Sequence, residues 1–328
     1  MKQAGGRVLR VLRAKSDLED STLKLVSLLN AMPGGIAQGL IWGIMAIGLF
    51  ITFKVLNLSD LTVDGSMATG GAVCVMLLMS GWSVYTAMLA AMGAGMLAGM
   101  VTGIFHTLMG IPAILAGILT QMSLYSVNLW IMGFKANQAV SVTKYHLLTS
   151  SRSVKEFSPQ NPILVAVIVI AALIALLYWF FGTEIGSSLR ATGSNEQMSR
   201  AQGINTNRTK IIGLMLSNGI IALSSALFAQ YQGFADINMG RGAIVIGLAA
   251  IIISDVLFGR LFRNFGLKLA AVAIGAVLYY IVIQIVLWLG LNTNLLKLFS
   301  ALVVAIFLAI PFWKSKLLSS GKGAKKNA

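Results

Sequence analysis

Long apolar runs, each about twenty residues and broken by short polar intervals, constrain this chain more than anything else in it. The run "PILVAVIVIAALIALLYWFF", Pro162 to Phe181, carries no charge at all. A helix of about 20 such residues matches the hydrocarbon thickness of a bilayer, where every backbone polar group must be satisfied within the segment. By hydropathy, spans fall at Gly34 to Phe53, Ser66 to Trp82, Tyr85 to Phe105, Pro112 to Gly133, Pro162 to Phe181, Ile211 to Gln230, Ala243 to Phe258, Leu267 to Gly290 and Leu295 to Trp313. The expectation is an all-α integral membrane protein with about nine transmembrane helices, some of them broken or re-entrant.

Composition excludes other classes. Hydrophobic residues make up 57% of the chain and charged ones only 11%, so no soluble domain of useful size remains. Basic residues outnumber acidic ones 25 to 10, but they cluster in loops and tails. That is the pattern produced by anionic inner-leaflet lipid and the positive-inside rule, so membrane lipid and not nucleic acid is the expected partner. A single cysteine, Cys74, rules out a disulfide framework and speaks against zinc. The basic first fifteen residues are not followed by a signal-peptide core and cleavage site, so they are expected to be retained.

The chain divides into a basic, amphipathic extension over 1–32, a polytopic transmembrane domain over 33–313, and a basic tail over 314–328. Lys314, Lys316, Lys322, Lys325 and Lys326 in the tail, and Arg260, Arg263 and Lys268 in "GRLFRNFGLK", place both segments in the cytoplasm. Counting back puts the 182–210 loop inside, the 135–161 loop outside and the N-terminus outside. The last conflicts with Lys2, Arg7, Arg10, Arg13 and Lys15, unless Leu18 to Met32 lies in the interface as an amphipathic segment and the count of spans is off by one. Gly39 and Gly43, then Gly95, Gly99 and Gly103, have the spacing of four that lets helices pack closely in lipid.

In the loop "GTEIGSSLRATGSNEQMSRAQGINTNRTK", Ser194 is positioned to cap a short helix from Asn195 to Gln202, with Gln197 as capping-box partner and Gly203 as the terminating glycine. Glu196 and Arg200 form an i, i+4 pair on it. Such a helix needs something to dock against, or else lies along the membrane surface.

"LRATGSNEQMSRAQGINTNRTKIIGLMLSN", followed by "ALSSALFAQYQGFADINMG" and joined by "ITFKVLNLSDLTVDGSMATGGAV" upstream, resembles permease subunits of bacterial ABC importers in the branched-chain amino acid and ribose permease superfamily. The subgroup it resembles most is that of permeases associated with tryptophan- or tyrosine-type binding lipoproteins. The resemblance covers roughly Pro33 to Trp313. It implies that the loop helix is a coupling helix, with Ser194, Asn195, Glu196, Gln197, Arg200 and Gly203 at the contact with an ATPase. It also implies a multi-pass protein of the bacterial cytoplasmic membrane that transports solute and catalyses nothing itself. Its partners would be a second permease, as a homodimer, two cytoplasmic ATPases that bind ATP and Mg, and an external substrate-binding lipoprotein. No phosphate-binding G-x-x-x-x-G-K-[ST] loop occurs, so no cofactor is expected on this chain.

Asp60 and Asp64 sit in "LNLSDLTVDGSMATGG", an anomaly in so apolar a chain. Gly65 permits a break there and Ser66 can cap the next helix. Charges at membrane depth pair, cap helices or face water, so the two carboxylates are expected either to cap a broken helix or to meet substrate. "FADINMGRGAIVIGLA" aligns with this stretch so that Asp236 matches Asp60 and Gly247 matches Gly71. Five spans separate the two units, which points to an inverted repeat whose broken helices line a transport path. Asn57 and Thr62 share the first segment, and Gln121, Asn128, Asn218 and Gln284 are further amides at membrane depth. They line the path or bridge helices. His106 and His146 stand apart. No catalytic constellation or metal-ligand set is present, which disfavours an enzyme. The alternative to an ABC permease is an ion-coupled secondary transporter using these aspartates, for which the capped loop helix has no purpose.

Overall fold

The computed structural model describes residue 26 and residues 28–288 apart from 142–144, 146, 156, 157, 159, 260 and 263, together with 298, 299, 301, 302, 304–306 and 309. Helix α1 runs over Leu28–Val55, so it passes through the 32/33 boundary drawn from composition. Its last residues, Ile51–Val55, widen into a π-turn. There follow α2 (Val63–Met79), α3 (Val84–Thr107), α4 (Ala113–Ile131), the short strand β1 (Asn137–Ala139), and α5 (Pro162–Gly182). Next come α6 (Glu184–Ser194), α7 (Glu196–Ala201), α8 (Thr206–Gln232), strand β2 (Phe234–Asp236), α9 (Ala243–Phe258) and α10 (Phe265–Trp288).

Local chemistry marks the ends. Ser83 Oγ accepts from the Thr86 amide at the start of α3, and Asn161 caps α5 with Pro162 just inside it. Gly233 closes α8 with φ of 81°, a left-handed conformation that favours glycine. Eight of the nine expected spans coincide with a helix. Six of these, α1, α3, α4, α5, α8 and α10, are long and apolar enough to cross a membrane. The other two, α2 and α9, have 17 and 16 residues and begin at breaks inside the bundle; they are apolar enough for hydropathy to count them as spans but shorter than the rest. The expected ninth span, Leu295 to Trp313, lies largely outside the described residues, as do residues 1–25, Arg260, Arg263, His146 and the 314–328 tail.

Small residues set the helix packing. Gly39 and Gly43 bring α1 against Val277 and Ala273 of α10, and Gly95, Gly99 and Gly103 bring α3 against Asn218, Leu214 and Ile211 of α8. Any side chain at Gly99 would overlap the Leu214 carbonyl, so glycine is required for this approach. Helices α1 and α8 are the most deeply buried of the six long ones. At one end of the bundle, α6 packs on the end of α1, where a methyl group on Gly193 would overlap the Val55 carbonyl. Lys54 and Asp255 pair there at 2.6 Å, joining the ends of α1 and α9. At the opposite end, β1 and β2 pair antiparallel with Asn137 opposite Asp236, and the Leu148 amide donates to Gln230 at 3.0 Å.

Candidate functional site

The two halves of the polar segment after α1 have separate fates. Asp60 is 2% exposed, and its carboxylate accepts from the Thr62 amide at 2.8 Å and from Asn218 Nδ2 at 2.7 Å. Ser66 Oγ donates to Asn218 Oδ1 at 2.6 Å, completing a closed network between the start of α2 and α8. Asn218 lies about 18 Å along α8 from its first residue, so this network is at membrane depth. Thr62 joins Thr102 of α3 at 2.7 Å, and Thr102 donates to Thr120 of α4 at 2.9 Å. Burying a charge is costly unless it is hydrogen-bonded, and here the Thr62 and Asn218 donors, backed by the hydroxyl bridges, meet the need.

Asp64 reaches elsewhere. Its two oxygens accept from the Gly242 amide at 3.0 Å and the Ile244 amide at 3.2 Å, the open N–H groups at the start of α9. A carboxylate of the first polar segment therefore caps the helix after the second, where the positive end of the α9 dipole favours it. Gly240 packs against the Asp64 carbonyl, closely enough that a side chain there would overlap it. In the alignment of the two segments, Gly240 is the position that matches Asp64.

Beside this junction is a cavity of about 250 Å³ lined by Asp64, Gly65, Ala68, Gln121, Met122, Tyr125, Asn128, Ile237, Asn238 and Arg241. Three of the expected path residues, Asp64, Gln121 and Asn128, meet there. Asn128 is 1% exposed and neither atom of its amide has a hydrogen-bond partner. Asp60, Thr62 and Asn218 are brought together too, but in the packed network, away from the cavity lining. Asn57 stands exposed after the π-turn with φ of 55°, and Asp236 accepts from the Asn238 amide at 2.7 Å and from Asn137 at 3.3 Å beside the sheet. Gln284 packs beside Gly35 on α1. Asn238, Tyr125 and Arg241 line the cavity without having been expected there. Of these, Arg241 carried a signal in the sequence, as a lone cation inside an otherwise apolar repeat.

At the other end, α7 is a capped helix of two turns. Asn195, not Ser194, is its N-cap: Asn195 adopts an extended backbone and its Oδ1 accepts from the Met198 amide at 3.0 Å, while Ser194 remains in α6. The capping-box pairing with Gln197 is thereby displaced. The terminating glycine is as expected: Gly203 has φ of 84°, with Gly203 N donating to Arg200 O and Ile204 N to Ser199 O. Glu196 pairs with Arg200 at 2.7 Å and with Lys210 of α8 at 2.8 Å, and Arg200 Nε donates to Thr206 at 2.8 Å. The hydrogen bond from Lys210, aided by the charges of Lys210 and Arg200, holds Glu196 below the ordinary carboxylate range against the opposing effect of burial. These ties fix α7 to α8 and leave Gln197 and Met198 facing outward, Met198 with 59% exposure.

Residues 32–311 match the family described as branched-chain amino acid transport system / permease component. The chain is 40% identical over 272 residues to the tyrosine transport system permease protein of Clostridioides difficile, covering 83% of this chain and 88% of that one. It is 31% identical over 283 residues to an uncharacterized protein of Rickettsia prowazekii, covering 86% and 98%. The autoinducer 2 import system permease protein LsrC of Escherichia coli is 27% identical over 224 residues, covering 65% of this chain and 60% of that one.

Proposed function

The chain belongs to the permease-component family of branched-chain amino acid transport systems, a multi-pass protein of the bacterial cytoplasmic membrane, and from that premise we propose that it is the transmembrane subunit of an ATP-binding-cassette importer for an amino acid, in particular an aromatic one. The observation that carries the reading is α7, a short helix capped at both ends, fixed to α8 by Glu196 and Arg200, and presenting Met198 outward. An exposed apolar residue on a rigid, braced turn suits seating in a cleft of another subunit. Ser194, Asn195, Glu196, Gln197, Arg200 and Gly203 form or support this contact on the cytoplasmic side. ATP and Mg belong to the separate ATPase. The name of the Clostridioides relative supports the amino acid substrate.

On this reading two copies of the chain and two ATPases form the transporter, and a lipoprotein delivers solute at the β1–β2 end. The inverted repeat is supported by the contact between Asp64 and Gly240: positions related by a pseudo-two-fold axis touch where the axis passes. It is supported also by Asp60 and Asp236, each of which accepts from the amide two residues on. Ion coupling through the aspartates is disfavoured, because the carboxylates of Asp60 and Asp64 are taken up by protein donors.

Met198→Glu tests the docking role. A charge placed in an apolar cleft should weaken co-purification of the ATPase at least tenfold while the permease still inserts and elutes as wild type. Full retention of the ATPase by this variant, together with undiminished uptake by Glu196→Ala/Arg200→Ala, would sink the coupling assignment.

A further inference from the structure

The cavity beside the Asp64 junction holds one carboxylate and one cation, which differ in how far the protein already partners them. Its one carboxylate, Asp64, is consumed by the Gly242 and Ile244 amides. Its one cation, Arg241, has no ion-pair or side-chain hydrogen-bond partner among the described residues, and only its backbone amide is engaged, donating to Asn238 O. Arg241 stands in the turn just before Gly242, the N-cap of α9, and its side chain is exposed where it lines the cavity. An exposed guanidinium on a cavity lining with no protein partner is free to meet an anion.

A second, independent observation points into the same space. Asn128 is buried to 1% exposure on α4, lines the cavity, and leaves both its amide oxygen and its amide nitrogen without partners. A buried amide left unsatisfied carries the full penalty of its lost hydration, so a ligand that bonds it recovers a cost already built into the fold. Gln121 adds a further amide, and Tyr125 and Met122 an apolar wall.

We propose that this cavity is a carboxylate-selective recognition site for the transported solute, with Arg241 taking the carboxylate and Asn128 hydrogen-bonding the solute's polar head. The proposal rests on the importer reading for its role in transport and goes beyond it in naming the charge that the path selects. A planar guanidinium matches a carboxylate in bidentate fashion. With Asp64 held by the backbone donors of α9 and Arg241 open, a solute bearing only an ammonium group finds no free partner and binds more weakly than one bearing a carboxylate.

The test uses the full-length chain in lipid nanodiscs and saturation-transfer NMR, which reads weak binding. Three probes of similar size are compared: 3-phenylpropionate, L-phenylalanine and phenethylamine. The first two should bind and compete with one another, and phenethylamine should bind more weakly than either. Arg241→Gln should weaken binding of 3-phenylpropionate about tenfold or more, Arg241→Lys less, and Asn128→Leu should weaken L-phenylalanine binding without altering the preference for carboxylate over amine. Each variant is scored only when its elution profile matches wild type, and the Lys variant keeps the charge if the Gln variant does not fold. Binding of phenethylamine as tight as that of 3-phenylpropionate, unchanged affinity in folded Arg241→Gln or Arg241→Lys, or binding of none of the three would overturn the assignment. The assay contains no ATPase, so its failure leaves the coupling reading to be judged on the Met198 and Glu196/Arg200 variants.

Discussion

At the scale of single residues, the decisive partners lie far apart in the chain. Asp60 and Asn218 are both conspicuous as polar groups in apolar surroundings, yet nothing in the sequence says that they hydrogen-bond each other across 158 positions. The same holds for Asp64, whose partners are backbone amides of α9. Periodicity and spacing report on a residue's own helix, and long-range pairing depends on how helices pack. The network around Asp60 makes a stability prediction. Asp60→Leu removes the acceptor of the Thr62 amide and one acceptor of Asn218 in the packed interior, at a cost of about 1–3 kcal/mol. The detergent-solubilised variant should lose stability by thermal size-exclusion assay, and Asp60→Asn, which keeps an acceptor for Thr62, should lose less. Equal melting of Asp60→Leu and wild type would show that the network is dispensable.

Among elements, the apolar helices were readable because each carries its signal continuously. The 182–210 loop was readable only in part. Its terminating Gly203 stands out, but Ser194, the expected cap, lies within α6, and the structure uses Thr183 to cap α6 and Asn195 to cap α7. Helix α6 itself escaped notice because it is short and amphipathic and its burial against α1 is a tertiary effect, visible at Gly193. The ties of α7 to α8 carry a pH dependence. Glu196 has a lowered pKa, so its ion pairs are fully formed above the ordinary glutamate value of 4.5 and are lost only as pH falls through the lower folded value. A spin label at Gln202→Cys should keep constant mobility from neutral pH down to about 5 and become mobile in stronger acid. Glu196→Gln should be mobile throughout. A wild-type transition centred above 4.5 would contradict this account. The buried Cys74 is the chain's one native cysteine and does not compete for label.

For the molecule as a whole, the Lys54–Asp255 pair joins the ends of α1 and α9 beside the end of α6. The two side chains are 41% and 46% exposed, so the pair adds little stability, but its place makes it a reporter of whether that end opens. A Lys54→Cys/Asp255→Cys double variant, cross-linked by an oxidant, should lose ATP-driven uptake and regain it on reduction. Uptake that persists in the fully cross-linked protein would show that this end stays closed through the cycle. The Asp64 brace has a different consequence. Because the carboxylate that finishes α9 is supplied from the first polar segment, neither half of the chain is chemically complete by itself. Separated, one would carry a bare anion into lipid and the other an open helix end. Residues 240–244 therefore supply partners that Asp64 lacks until the second half packs against the first.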